Sequence, residues 1–190
     1  EHRVMSLKTR FGNLKNVLDQ DGSQTEILSV ESPFVTNGEY KRMKAHFGDL
    51  AQTIDCTYPA GGTTAEMRAA LDRIRREAEE AVRAGAGHIV LQDLAQGPDQ
   101  IGMPMILATS AVQAWLVQKG LRTFCSLNVR CAECIDSHYF AVLIGCGATT
   151  VNPYLAQDTL ADRIERGLLD MSLREAMERY RTAIDQGLLK

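Results

Sequence analysis

The sequence has no apolar run approaching the 18 or more residues of a membrane-spanning helix, and no secretory leader pattern opens it. It has no excess of basic charge: 21 Lys and Arg stand against 24 Asp and Glu, a net charge of -3. No basic stripe lies along any one helical segment, so the electrostatic footprint of a nucleic-acid binder is missing. The five cysteines are an odd number in a chain of this size, which argues against a secreted disulfide framework and for a reducing cytoplasm. What remains is ordinary, 45% hydrophobic and 24% charged in 190 residues. Such a length is expected to form a single domain, 1–190, able to withdraw about 70% of its unfolded surface from water. The chain opens on Glu1 and stops at Lys190 directly after an amphipathic helix, so it is expected to be a piece of a longer polypeptide.

The organising stretch is 120–157, which reads strand, helix, strand, helix. Residues 122–129 are β-branched and aromatic, with Gly120 as a helix stop before them. Residues 137–145 carry Tyr139, Phe140, Val142, Leu143 and Ile144, a mostly buried helix ended by glycine, and 148–151 form a second strand broken by Asn152-Pro153. A strand, a crossover helix and a strand within about 30 residues make a parallel βαβ unit. Both strands read as mostly apolar, the pattern of strands covered on two faces.

The rest looks like further copies. Strands are expected near 50–56 and 88–91, helices over 65–84 and 103–119, and a shorter helix over 39–47. In 65–84, Thr63 or Thr64 can cap the start, and Met67, Leu71, Ile74, Ala78 and Ala81 share one face. Asp72 with Arg76, and Arg76 with Glu80, offer exposed i,i+4 pairs. In 103–119, Ile106, Val112, Trp115 and Leu116 supply bulk, while Ala108, Ser110, Ala111 and Ala114 allow close approach of a neighbour. Residues 57–64 and 92–102 read as loops. After Pro153 come a helix over 154–166 and a last one capped by Ser172 with Glu175, placing Leu173, Ala176, Met177, Tyr180, Ala183 and Ile184 on one face. Residues 27–30 are a short strand candidate, and Pro33 keeps 32–35 out of a central ladder. Residues 11–18 suggest a short amphipathic helix, and 1–25 form either an inter-domain connector or a segment packed on the domain's own core.

The fold class is therefore α/β, built of parallel βαβ repeats, with a partial TIM-barrel-like array as the expected architecture and a small flavodoxin-like open sheet as the alternative. In either, ligands gather at the C-terminal ends of the strands. The polar residues expected there are Asp55, Thr57, Asp93, Ser126, Asn128 and Asn152. Pro59-Ala60-Gly61-Gly62-Thr63-Thr64 lacks the lysine of a P-loop and the Rossmann glycine spacing, and reads as a helix cap rather than a phosphate cradle. Cys131-Ala132-Glu133-Cys134 is a lone C-x-x-C, and a structural zinc needs four ligands. Cys125, Cys146 and His138 could complete the set only from apolar surroundings, so the thiols read as small hydrophobes and His138 as a core histidine. His88 heads its strand, at the wrong end for a site. No catalytic, cofactor-binding or metal-binding set is assigned.

Several segments together are similar to one family: SLKTRFGNL at 6–14, SPFV at 32–35, MPMILATSAV at 103–112, KGLRTFCSLNVR at 119–130, HYFAVLIGCGATTVNPYLA at 138–156 and AIDQGLLK at 183–190. They resemble the central domain of glutamate synthase, within it the large (alpha) chain of the bacterial NADPH-dependent type, in the family's order over essentially the whole chain. The resemblance implies a cytoplasmic piece between an N-terminal glutamine amidotransferase domain and an FMN-binding barrel. The parent converts L-glutamine and 2-oxoglutarate to two L-glutamates, with ammonia passing through an internal tunnel. It implies FMN and a [3Fe-4S] cluster in the parent chain, held by segments beyond residue 190, and FAD, [4Fe-4S] and NADPH with a small (beta) partner subunit. No cofactor, nucleic acid or membrane is implied for 1–190 itself. The family's nucleophilic N-terminal cysteine has no counterpart here, and Cys131-Ala132-Glu133-Cys134 departs from the acidic and paired-histidine pattern of many relatives. Thr57, Asp93, Asn128 and Asn152 become the candidates for tunnel-lining or domain-interface positions.

Overall fold

The computed structural model describes residues 6–12, 18 and 27–190. The helix expected over 11–18 lies mostly outside the described residues. Phe11 itself instead continues a short antiparallel pairing of β1 (Thr9–Arg10) with β2 (Ser29–Val30), its N–H donating to Leu28 O at 2.9 Å. From there the chain runs α1 (Asn37–Phe47), β3 (Ala51–Asp55), β4 (Thr57–Pro59), α2 (Thr64–Arg83), β5 (His88–Gln92), β6 (Gln100–Gly102), α3 (Met105–Gln118), β7 (Ser126–Arg130), α4 (Ser137–Gly145), β8 (Thr150–Asn152), α5 (Tyr154–Glu165) and α6 (Leu173–Leu188).

Four strands form one parallel sheet in the order β3-β5-β7-β8. The order never reverses, and α2 touches α3, which touches α4, so all three crossover helices share one side. A flavodoxin-like sheet reverses direction and carries helices on both sides, so that alternative is excluded. The arrangement is that of a partial barrel, with helices outside and the opposite face turned inward. Ile54, Ile89, Leu91, Leu127, Val129 and Val151 point outward into the main core, against Ile74 and Ala78 of α2, Val112 and Leu116 of α3, and Phe140 and Leu143 of α4.

Helix ends follow local chemistry. Thr36 and Thr63 each form a full capping box, with Glu39 and Glu66 respectively, and Ser172 accepts from the Glu175 N–H. Pro104, heading α3, has no capping side chain, and Glu133 Oε2 reaches across to accept from the Met105 N–H at 3.2 Å. Gly187 admits α6 against α4, because a Cβ there would lie 2.4 Å from Ser137.

Some expectations are corrected. Residues 57–59 and 100–102, read as loop, pair as an antiparallel ribbon above the sheet; three-residue strands are too short to show a period. The strand expected over 122–129 begins only at Ser126, because 122–124 form a turn of 3-10 helix held by Arg122 donating to Cys125 O at 2.7 Å. His138 is exposed on α4 and Cys146 is half-buried, since each falls on the flank of a helix whose packed face is Phe140 and Leu143. On α2, Asp72 pairs with Arg75 rather than Arg76. On α3, Ser110 and Ala114 are exposed, so the close approach falls at buried Ala108. On α6, Leu173 and Ala183 are exposed because its buried seam, Ala176 and Ile184, is narrower than the apolar stripe.

Candidate functional site

The inner face of the sheet is where the polar residues collect. The register stacks them in rows: Ala51, His88 and Ser126; then Thr53, Val90, Asn128 and Thr150; then Asp55, Gln92, Arg130 and Asn152 at the C-terminal mouth. The strands read as mostly apolar are thus buried on both faces, yet alternate in chemistry. SLNVR and TVN place leucine and valine outward, and serine, asparagine, arginine and threonine inward. Burying an amide or hydroxyl is costly unless its hydrogen bonds are met, and here Ser126, Asn128 and Thr150 meet theirs with one another and with backbone carbonyls, whereas the buried Thr53 hydroxyl has no hydrogen-bond partner. Thr150 Oγ1 donates to Asn128 Oδ1 at 2.8 Å, and Asn128 Nδ2 donates to Ser126 Oγ at 3.1 Å and to Ile89 O at 3.3 Å. Ser126 Oγ donates to Gly87 O at 3.3 Å, and His88 Nδ1 lies 2.9 Å from Ser126 Oγ.

Helix α1 and the residues before it cover this face. Phe47 stacks flat on His88, ring centroids 3.5 Å apart, and Phe11 packs beside both rings. Gly12 lies against the imidazole with φ +97°, where a Cβ would come within 3.3 Å of His88 Cε1. Burial, and then His46 nearby, push the His88 pKa down to about 4, so the ring is neutral at pH 7. His88 and Ser126 have the spacing of a base and a hydroxyl nucleophile. Yet both are buried, they sit at the N-terminal end of their strands, and the serine proton is directed to Gly87 O. The pair is a structural join.

Between α1 and the inner face lies a cavity of about 20 Å³, lined by Tyr40, Met43, Phe47, Val90, Asn128 and Thr150 among others. That is room for about one water-sized molecule. At the mouth, the Arg130 guanidinium lies 4.8 Å from the Tyr40 ring centroid and 5.2 Å from that of Tyr154, and its Nε donates to Asn152 Oδ1 at 3.1 Å. Asn152 Nδ2 donates to Val35 O at 2.8 Å and Asn37 Oδ1 at 3.0 Å, which ties the start of α1 to the end of β8.

The four candidates therefore fall at two levels. Asn152, Thr57 and Asp93 are buried at the mouth, whereas Asn128 lies mid-strand in the hydrogen-bonded row. Ser126, expected at the mouth, is the first residue of its strand. Thr57 is held by Asp55, which accepts from Thr57 N–H at 3.1 Å and Thr57 Oγ1 at 2.8 Å. Asp93 accepts from the Ala132 N–H at 3.0 Å through Oδ2, while buried Oδ1 has no hydrogen-bond partner. Burial raises the Asp93 pKa, and burial together with that carboxylate raises the pKa of Tyr154. Arg130 was missed because starting the strand four residues early puts its end before 130. The alternation of SLNVR was the available signal.

Cys131 and Cys134 are fully buried, and burial, reinforced by Cys131, pushes the Cys134 thiol up. Among the described residues no group of three or more His, Cys, Asp or Glu could hold a metal ion. The 59–64 turn caps α2: Glu66 Oε2 takes both the Thr63 N–H at 2.7 Å and the Thr63 hydroxyl at 2.9 Å, placing a carboxylate where a phosphate would sit. No described helix is long and apolar enough to cross a membrane.

A family model described as the glutamate synthase central domain matches residues 1–190. The chain is 56% identical over 191 residues to the glutamate synthase [NADPH] large chain of Azospirillum brasilense, with 100% of this chain and 13% of that one covered. It is 31% identical over 192 residues to the glutamate synthase [NADPH] large chain of Bacillus subtilis, covering 100% and 12%. It is 32% identical over 204 residues to ferredoxin-dependent glutamate synthase 2 of Synechocystis, covering 100% and 13%. The chain thus spans about an eighth of the length of these curated relatives.

Proposed function

This chain belongs to the glutamate synthase central domain family, and from that premise we propose that it couples two reactive domains without carrying a reaction of its own. In this reading the parent turns L-glutamine, 2-oxoglutarate and NADPH into two L-glutamates. Residues 1–190 hold the amidotransferase and FMN-binding domains in register and form part of the wall along which ammonia travels. The observation that carries the reading is the inner face of the sheet: a buried row of neutral amide and hydroxyl groups beside a cavity of about 20 Å³.

Ammonia matches water in size and in its ability to donate and accept hydrogen bonds. In bulk water near neutral pH it is protonated and loses its nucleophilic lone pair, so a wall that excludes water preserves the reactant. Neutral His88 is not an imidazolium acid near pH 7, and the cations of Arg130 and Lys44 beside the cavity disfavour ammonium. Asn128 is assigned to the wall, and Thr57, Asp93 and Asn152 to the mouth that faces a neighbouring domain.

The test uses the full-length large chain with its partner subunit. Asn128→Leu and Thr150→Val should leave glutamine hydrolysis intact, release ammonia to the medium and lower glutamate formed per glutamine consumed. Unchanged stoichiometry in both variants, with Asp93→Ala and Asn152→Ala equally silent, overturns the reading.

A further inference from the structure

The two edges of the partial barrel are finished differently. The β8 edge is closed by the chain itself: Val151 N–H donates to Pro33 O at 2.8 Å and Val35 N–H donates to Val151 O at 2.9 Å, with Phe34 bridging in parallel. Among the described residues the β3 edge is not closed. Cys56 N–H donates to Gln92 O at 2.7 Å, which turns the even-numbered residues of β3 toward β5. The ladder then turns the backbone of Ala51, Thr53 and Asp55 outward. The Ala51 N–H is taken by Gly48 O, and Arg73 covers the far end, donating to Asp55 O at 3.0 Å and Thr57 O at 3.1 Å. Thr53 is left between them, and its buried hydroxyl also has no hydrogen-bond partner. Among the described residues no strand runs along that edge.

Alongside it runs an open groove of about 600 Å³ between β3 and α2. Its floor is Leu50, 55% exposed, with Ala81 and Ala84, small residues that admit a backbone. Its rim is acidic: Asp49 and Glu80 line it, and Glu77 beyond them pairs with Arg73. Natural sheets cover, shorten or charge such an edge, or use it for pairing.

We propose that the β3 edge is a strand-docking site. Its occupant is an extended segment bearing lysine or arginine, supplied by another part of the same long polypeptide, that pairs with Thr53 and lays its cations against Asp49 and Glu80. The acidic rim selects the charge of the occupant. Its source follows from length, because the related large chains are about eight times longer than this segment. The inference rests on membership of a longer chain and not on any ammonia path.

Two measurements on the full-length large chain test it. Amide hydrogen exchange should protect Thr53 to within about tenfold of its neighbour Ile54, which is bonded to β5 in any case; a larger gap overturns the proposal. A photo-crosslinking benzoylphenylalanine in place of exposed Gln52, which lines the groove, should join the chain to itself at an extended Lys- or Arg-bearing segment outside 1–190. Crosslinking to a second copy, to another subunit or to nothing overturns it. Charge reversal at the rim, Asp49→Lys with Glu80→Lys, should abolish the crosslink while Thr53→Val, which keeps the backbone donor, leaves it. The opposite pattern also overturns it.

Discussion

The outer and inner faces of one four-stranded sheet obey different rules although both are buried. Outside, Ile89, Leu91, Leu127, Val129 and Val151 meet three helices in a buried apolar layer. Inside, His88, Ser126, Asn128 and Thr150 are joined by hydrogen bonds under α1, which itself buries no residue completely, and under Phe11 and Gly12 before it. The outer face works by area removed from water, in proportion and without direction. The inner face gains little net stability from each bond but loses much when one partner is removed. The first layer holds the fold; the second fixes the positions of particular groups.

Substitutions at matched depth should separate the two. Leu127→Ala on the outer face opens a cavity in the packed layer and should cost about 3 kcal/mol in urea denaturation. Asn128→Leu, its neighbour pointing inward, leaves the Thr150 hydroxyl and the Ser126 oxygen short of a partner and should cost about 2 kcal/mol. If the second substitution proves neutral, the inner row is not the directional device described here.

A pH scan probes the inner face alone. The His88 pKa is about 4 in the folded chain against 6.5 for a free imidazole, so between those values the unfolded chain binds the extra proton. Stability should therefore fall as pH drops from about 6.5 toward 4, by on the order of 2 kcal/mol. His88→Gln should flatten that slope, and a slope unchanged by the substitution places the titration elsewhere. The smallest effect compares the two capping boxes. Thr36→Ala on α1 and Thr63→Ala on α2 should each cost about 1 kcal/mol. The first should raise amide exchange mainly within α1, because no residue of α1 is fully buried, and the second should report at the global transition, because α2 packs in the main core.

Much of this was legible beforehand. The βαβ repeats, a threonine cap at 63 or 64 and part of the buried face of α2 are short-range features, set by residues three or four apart: Ile74 and Ala78 are buried as expected, Met67, Leu71 and Ala81 only partly, and Ala70 and Val82 complete the seam. The resemblance to a family rested on segments spread over the whole chain, and the match over residues 1–190 agrees with it. The inner face was not legible in the same way. Ser126, Asn128 and Arg130 alternate with Leu127 and Val129, but misplacing the start of β7 shifted the candidate mouth from Arg130 back to Asn128. The ribbon of β4 with β6 was invisible because three residues carry no period.

The sequence by itself determined the element order and the parallel class, because both follow from local periodicity and from crossovers too long for hairpins. Only the tertiary structure decided which way the sheet winds, which face is polar and which edge no described strand covers. Those depend on pairings between residues such as Val151 with Phe34, or Thr150 with Asn128, that lie 22 or more positions apart along the chain. No local pattern encodes such a contact, because its free energy exists only once the intervening chain has folded.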